Sequence, residues 1–467
     1  MTSASDIAFT SALDLAGLYR KQELSPVEAA EALLARIAAL QPRLNAFCLV
    51  DRDGALAAAR AAEERWRQGR PLGPIDGVPV TVKDLVMMRG HPTRRGSHLT
   101  DPAPDAEDGP AVARLREAGA VILGKTTTPE FGWKAIGDSP LTGITRNPWN
   151  LGRTPGGSSA GAAASCSAGI APLHVGSDGA GSIRIPAAFT GIFGIKATFG
   201  RVPAHPYGPL GLLSNVGPMA RNVVDAAAML NVLAGPDPRD PYILPPETRD
   251  YRDGIEGGVK GLRIAYSPDL GYARVDPEIA ASCAAAAGKF EELGATVEQV
   301  GEIFPSPREA LLTLWSAGSA RNLRSFPADR RKLCDPGLLA IAAQGERVSG
   351  VDFVAADLAR AALGRQMAAF HQRYDLLLTP MMPLPALPVG QDLSDPASET
   401  NWVDWSPFSY PFNMTRQPAA SIPCGLTAAG LPIGLQIVGP LYAEPLVLRA
   451  ARAFEATQPE RRPPPLD

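Results

Sequence analysis

Two parts of this 467-residue chain carry side chains able to do chemistry. They are the Gly-, Ser- and Ala-rich stretch 153–200 and a single lysine upstream of it, Lys83. The stretch is not a flexible linker. Apolar residues recur through it (Ile170, Leu173, Val175, Ile183, Ile185, Ile192, Phe193, Ile195), where a Gly/Ser linker has none. Its composition lets backbone approach something closely inside a core, and three hydrolase templates can be held against it. The first is the nucleophile elbow, since Gly157-Ser158-Ser159-Ala160-Gly161 fits GxSxG. That template needs a strand before it and a histidine base after it. Residues 149–154 do not read as a strand, and only His205 and His371, of five histidines, lie downstream of a Ser–acid pair in no motif-like setting. The second is a cysteine nucleophile, but Cys166 lies among Ser and Ala in a helix interior and reads as a small buried hydrophobe. The third is a serine activated by lysine. A serine hydroxyl needs a base at neutral pH. Lysine serves only when neutral, which requires its pKa to fall from about 10.4. Burial among uncharged Ser and Gly groups does that. Lys83 and the stretch 153–200 have the composition for such a site.

The elements that must position these groups follow from periodicity. Val78, Val80 and Val82 alternate, so this segment is a strand with Lys83 at its end. A lysine there either snorkels to the surface or is buried for a reason. Residues 7–70 read as helical: Thr10 or Ser11 caps a first helix, Ser25-Pro26-Val27-Glu28 is a capping box, and Asp51 or Asp53 starts an Ala-rich helix to Gln68. Gly119–Thr126 fits the P-loop expression, but the strand 121–123 lies inside the motif and Pro129 opposes a helix after it, so no phosphate site is expected. Strands are expected at 262–266, 295–300, 375–380, 420–425 and 431–439, the last two as a hairpin, and helices at 223–233, 276–293 and 446–456. This β–α–β pattern indicates an α/β fold.

Composition narrows the function. A net charge of −3 argues against a nucleic-acid surface, which needs a basic excess, and the cluster Arg321, Arg324, Arg330, Arg331, Lys332 reads as a solvated helix face. Five scattered cysteines (Cys48, Cys166, Cys283, Cys334, Cys424) show no metal-ligand spacing and fit a reducing compartment, so neither metal nor cofactor is expected. The start of the chain has no basic or apolar leader pattern, and no run approaches the ~18 apolar residues of a membrane span.

Gly156-Gly157-Ser158-Ser159, Gly179-Ala180-Gly181-Ser182-Ile183-Arg184-Ile185-Pro186 and Val82-Lys83-Asp84-Leu85 together resemble the amidase signature family, as do Thr145-Arg146-Asn147-Pro148-Trp149 and Gly124-Lys125-Thr126. The likeness runs from about residue 10 to 455. It implies a large mixed β-sheet core covered by helices on both faces. It also implies a Ser–cis-Ser–Lys triad, with Ser182 as nucleophile, Ser158 as the bridging serine after a cis peptide bond, and Lys83 as base. The N–H groups of Gly179, Ala180, Gly181 and Ser182 would form the oxyanion hole. Two positions depart from the family by one methyl group each: Ala180 and Ala160 stand where glycine is usual. Asp178 and Arg184 read as an ion pair bracing the loop rather than as catalytic groups.

Within the family the alternatives are a free-standing amidase, a glutamyl-tRNA amidotransferase A-type subunit, and a non-catalytic binding subunit of the same fold. The amidotransferase chain carries an acidic residue a few positions before the stretch that Tyr410-Pro411-Phe412-Asn413 resembles. Here Ser406 falls at that place, and Lys134–Pro140 departs from the corresponding amidotransferase loop. The free-standing hydrolase is therefore favoured, acting on small amides, with carbamates, anilides and esters passing through the same acyl-enzyme. Its pocket is expected to be apolar and to use Phe131, Trp133, Ile136 and Met87, with Trp315, Trp402 and Trp405 as further aromatic candidates. The expected partners are an apolar or aryl amide and water, with a homodimer allowed and no nucleic acid or membrane, in the cytoplasm. Four segments are expected: 1–70, a helical region packed on the core; 71–235, the catalytic core; 236–460, its continuation with helical substrate-pocket insertions; and 461–467, a disordered tail.

Overall fold

The computed structural model describes residues 4–459 and 462–466. One mixed sheet of eleven strands organises the chain. In chain order its strands are β1 (Phe47–Val50), β2 (Pro79–Lys83), β3 (Val121–Thr126), β6 (Leu173–Asp178), β7 (Phe193–Lys196), β8 (Asn215–Ala220), β9 (Arg263–Tyr266), β10 (Thr296–Gln299), β11 (Leu376–Pro380), β12 (Ala419–Leu426) and β13 (Pro432–Val438). Between β3 and β6 a separate two-stranded ribbon pairs β4 (Asp138–Ser139) with β5 (Gly143–Ile144). The order across the large sheet is β1-β3-β2-β6-β8-β7-β12-β13-β11-β9-β10. β2 runs parallel to both its neighbours, β3 and β6. The expected hairpin is β12–β13, paired antiparallel.

Side chains alternate across a strand, so neighbouring residues report the two faces. Leu376 and Leu378 belong to one apolar cluster and Leu377 to a second; Ile264 and Ala265 divide in the same way. The first face is covered by α2 (Ala12–Lys21), α3 (Pro26–Leu44), α4 (Arg52–Arg67), α5 (Pro110–Glu117), α8 (Val223–Leu233), α9 (Pro277–Glu292) and α14 (Glu444–Glu455). The second is covered by α7 (Arg184–Thr190), α10 (Arg308–Arg324), α11 (Pro336–Gly345), α12 (Gly350–Phe370) and the short α13 (Pro411–Met414). The remaining helices are α1 (Ala4–Phe9) and α6 (Ala160–Ser167). The expected α/β architecture is thus the observed one. No helix among the described residues is long and apolar enough to cross a membrane.

Local chemistry sets the element ends. Ser11 caps α2 through the Asp14 N–H, and Ser25 with Glu28 forms a reciprocal capping box on α3, with Pro26 at the first turn. One reading changes. The region 7–70 is not all helix, because β1 lies within it and pairs with β3 at the sheet edge; four residues between two helices are too short to show a period. Between Gly200 and α8 the chain forms one strand, β8, and residues 202–211 line a cavity. Lys125 of the P-loop look-alike is inside β3, fully buried and paired with Asp84 at 2.9 Å, which leaves no phosphate cradle. Of the tail, residues 461 and 467 lie outside the described residues, while Leu466 is buried against the first face.

Candidate active site

Lys83 closes β2, and every residue of that strand is buried because β3 and β6 flank it. The side chain does not snorkel. Its Nζ donates to three serine hydroxyls: Ser158 Oγ at 2.8 Å, Ser177 Oγ at 2.9 Å and Ser159 Oγ at 3.0 Å. No carboxylate pairs with it among the described residues. Burial pushes its pKa well below the usual lysine value, and the charge of Asp178 opposes that shift only in part. The structure therefore holds a buried amine, surrounded by hydroxyls, whose burial works against the charged form.

The serines reach Lys83 from two directions. Ser177 lies on β6, beside β2. Ser158 and Ser159 precede α6, a helix of small residues that is buried on all sides. The Gly157–Ser158 peptide is cis. A Cβ on Gly157 would come within 2.5 Å of the Ile136 carbonyl oxygen, so only glycine fits there. On the far side of the relay, Gly132 adopts φ +69°, and a Cβ there would approach Ser158 Oγ at 3.0 Å. The methyl of Ala160 is accommodated by Gly137, whose own Cβ would be 2.8 Å from it.

Ser182 lies just before α7, on the same cavity as Ser158. The Ser159 N–H donates to the Ser182 carbonyl at 3.1 Å and ties the two serine segments together. The Ser182 hydroxyl makes no hydrogen bond among the described residues. The loop before it is held by Asp178 and Arg184, which form a fully buried pair at 2.9 Å. Burial alone would raise the Asp178 carboxyl. Arg184, Asn413 and the more distant Lys196 outweigh it and hold the group well below the carboxylate range. Arg184 also donates to Gln436 Oε1 of β13 and to Asn413 Oδ1 of α13, both at 2.6 Å. The bracing role expected for this pair is what the geometry shows. Removing one partner leaves a buried charge unpaired, which typically costs about 3–5 kcal/mol. Arg184→Met is therefore expected to lower urea-unfolding stability by about that much, and a loss under about 1 kcal/mol would contradict the brace.

One donor differs from expectation. The Gly181 N–H points at Asp178 Oδ1, at 2.7 Å, and so is committed to the brace. The N–H groups of Gly179, Ala180 and Ser182 donate to no protein acceptor among the described residues. Gly181 itself cannot be replaced easily: its φ is +121°, and a Cβ would meet Ser409 Cβ at 2.5 Å.

A cavity of ≈ 230 Å³ opens over Ser158, Ser177, Gly179 and Ser182. Leu85, Phe131, Val202, Leu210 and Trp315 supply much of its apolar wall. Of the expected pocket residues, Phe131 and Trp315 face it. Trp133 and Ile136 do not; they sit in the second-face core, Trp133 over Gly337 of α11 and Ile136 behind Gly157. Met87 is half-buried beside Gly109 and does not line the cavity either. Trp402 packs edge-on against Trp315, and Trp405 stacks on Phe189. His205 lines the cavity but faces Glu107 at 3.3 Å, not a serine. Sequence reasoning missed Ser177, Gly132, Arg95, Asn322 and the 202–211 wall. The only signal for Ser177 was its place two residues from Val175 on a strand next to β2.

The amidase family model matches residues 28–448. An acylamidase of Rhodococcus erythropolis is 39% identical, over 99% of this chain and 98% of that protein. The A-type subunit of a glutamyl-tRNA(Gln) amidotransferase from Geobacter metallireducens is 36% identical, over 93% of this chain and 94% of that protein. The crystal structure of a bacterial aryl acylamidase of the amidase signature family superposes with a TM-score of 0.90, at 32% identity, over 97% of this chain and 96% of that one.

Proposed function

The chain belongs to the amidase signature family and is a hydrolase of C–N bonds, and from that premise we propose that it cleaves small apolar or aryl amides through an acyl-enzyme on Ser182. One observation carries this reading: the fully buried Lys83 amine, free of any ion pair among the described residues, bonded to Ser158, Ser159 and Ser177.

In the proposed reaction neutral Lys83 takes a proton from Ser158, which takes one from Ser182. Ser182 Oγ attacks the amide carbon. The tetrahedral oxyanion is received by the N–H groups of Gly179, Ala180 and Ser182, a backbone trap in which one donor typically contributes about 2.7–4 kcal/mol. Collapse breaks the C–N bond. The leaving amine takes back the proton through Ser158 and departs. Water then attacks the ester carbon of acyl-Ser182, giving up its proton along the same relay, and the acid is released with Ser182 regenerated. Carbamates and esters can pass through the same intermediate.

A free-standing amidase is supported over a glutamine-using subunit by the state of residues 404 and 406. Ser406 is fully buried and bonded to the Trp402 carbonyl, and Asp404 is bound to Arg308, so neither offers a carboxylate to a substrate ammonium group. The free thiols support a reducing compartment, in keeping with the cytoplasm. The test is a panel of short N-acyl anilides, aryl carbamates and free glutamine. Turnover of at least one anilide or carbamate should exceed that of glutamine by about 10²-fold or more. Ammonia release from glutamine as the main activity would contradict the reading.

A further inference from the structure

We propose that Arg95 is an anionic-substrate anchor, so that the preferred amide carries a carboxylate in addition to its apolar body; this rests on the hydrolase reading above. Arg95 lies in the turn that follows β2. Its N–H donates to the Asp84 carbonyl at 3.2 Å and its carbonyl accepts from the Phe131 N–H at 2.8 Å. These bonds seat it between the residue after Lys83 and an aromatic wall residue. It adopts φ +52°, a backbone shape that L-residues rarely take. The following Gly96, at φ +63°, is pinned under the Thr128 carbonyl, which a Cβ would meet at 2.5 Å. The turn is thus fixed at both positions, and it directs Arg95 to the cavity.

The guanidinium is half-buried there and uncommitted. Among the described residues it makes no ion pair, side-chain hydrogen bond or cation–π contact. Its neighbour Arg94, by contrast, bonds Thr100 Oγ1 at 3.2 Å. The carboxylates whose charge reaches Arg95 have other partners: Asp84 Oδ1 pairs with Lys125, and Asp105 Oδ2 accepts from Thr93 Oγ1 at 2.5 Å and from the Met88 N–H at 3.1 Å. Asp240, the acidic residue on the cavity wall, accepts backbone N–H groups on both oxygens, from Tyr242 at 2.8 Å and Ala204 at 2.9 Å. Arg95 is the one arginine or lysine among the residues lining the cavity. Burial lowers its pKa, and the charges of Asp105 and Asp84 oppose that shift only in part. A desolvated guanidinium of this kind is satisfied by a planar anion, which its fork geometry fits in bidentate fashion. Asn322, whose amide also makes no hydrogen bond among the described residues, lines the same cavity and offers a second polar contact. Leu85, Val86, Phe131, Val202, Leu210 and Trp315 give the cavity its apolar body, so the ligand chemistry is an aryl or alkyl amide with one carboxylate.

Two matched series separate the sources of that carboxylate. One places it on the acyl group (succinanilic acid against butyranilide); the other places it on the amine (4-acetamidobenzoate against acetanilide). In at least one series the wild type should prefer the carboxylate member by about 10- to 100-fold in kcat/KM, the range of a hydrogen bond to a charged group. Arg95→Gln should lower kcat/KM for that member at least tenfold more than for its neutral partner, and Arg95→Lys should restore part of the difference. A second readout does not need turnover. On Ser182→Ala protein, calorimetry with 4-phenylbutyrate should show binding that weakens at least tenfold in the Arg95→Gln form, while 4-phenylbutanol shows no such difference. The proposal is overturned if Arg95→Gln affects charged and neutral members alike, or if phenylbutyrate binding is insensitive to it. Carboxylate binding through Arg95 without turnover of any anilide would count against the hydrolase reading and leave the anchor standing.

Discussion

Ser182→Ala is expected to lower kcat by at least about 10⁴-fold on the best anilide of the panel, with an unfolding midpoint close to that of the wild type. The two halves of this expectation come from the same geometry. The Ser182 hydroxyl makes no hydrogen bond among the described residues, so its removal leaves no buried group unpaired. Its backbone remains, with the carbonyl held by the Ser159 N–H and the Asp178–Arg184 brace beneath the loop. The oxyanion donors therefore survive, and only the nucleophile is lost. Nucleophile and base act as a unit in such sites, so the loss is far larger than that of one hydrogen bond. Parallel measurement of kcat and of urea unfolding checks both halves. Retention of more than a few per cent of kcat would show that another group attacks.

The second large effect belongs to Lys83. Lys83→Ala is expected to lower kcat/KM by about 10²–10⁴-fold, the usual contribution of a positioned base. It is also expected to remove the alkaline-rising limb of the pH profile. The sign follows from the direction of the shift. A lysine can accept a proton only when neutral, and burial places this group's pKa well below the usual value. Activity should therefore rise with pH as Lys83 deprotonates and level off before the ordinary lysine range near 10.4 is reached. Stability has a matching sign. Between the folded pKa and the ordinary one, the unfolded chain binds the extra proton, so the contribution of Lys83 to stability grows as pH rises through that window. A pH profile of kcat/KM for wild type and Lys83→Ala, each on one neutral anilide, reads the effect. An unchanged limb in the variant would assign the base to another group.

That Lys83 meets a Gly/Ser-rich shell was legible in short motifs, and its pairing with Ser158 was implied by the family resemblance those motifs carry. Lys83 ends a strand whose valines alternate, Ser158 follows glycines that only a close backbone approach requires, and α6 is small-residue helix throughout. The brace was legible for a similar reason, since Asp178 and Arg184 flank a loop with no other charge. What surrounds the site was not legible. Trp133 and Ile136 are as apolar as Phe131 and lie within five positions of it, yet only Phe131 turns to the cavity, at a positive φ that its sequence does not announce. The wall at 202–211 has no period because it has no regular structure. The commitment of the Gly181 N–H to Asp178 is a matter of local dihedral angles, invisible in residue types. Nothing in the sequence sets Arg95 apart from Arg94; only the fold gives Arg94 a side-chain partner and leaves Arg95 with none among the described residues.

The serine relay is tested most directly by treating the protein with a fluorophosphonate probe and mapping the modified peptide by mass spectrometry, in wild type and in Lys83→Ala. A single adduct on Ser182 in the wild type, formed much more slowly in the variant, is the expected result. Well-folded wild-type protein that stays unlabelled, or that carries the adduct on a residue other than Ser182, would contradict it.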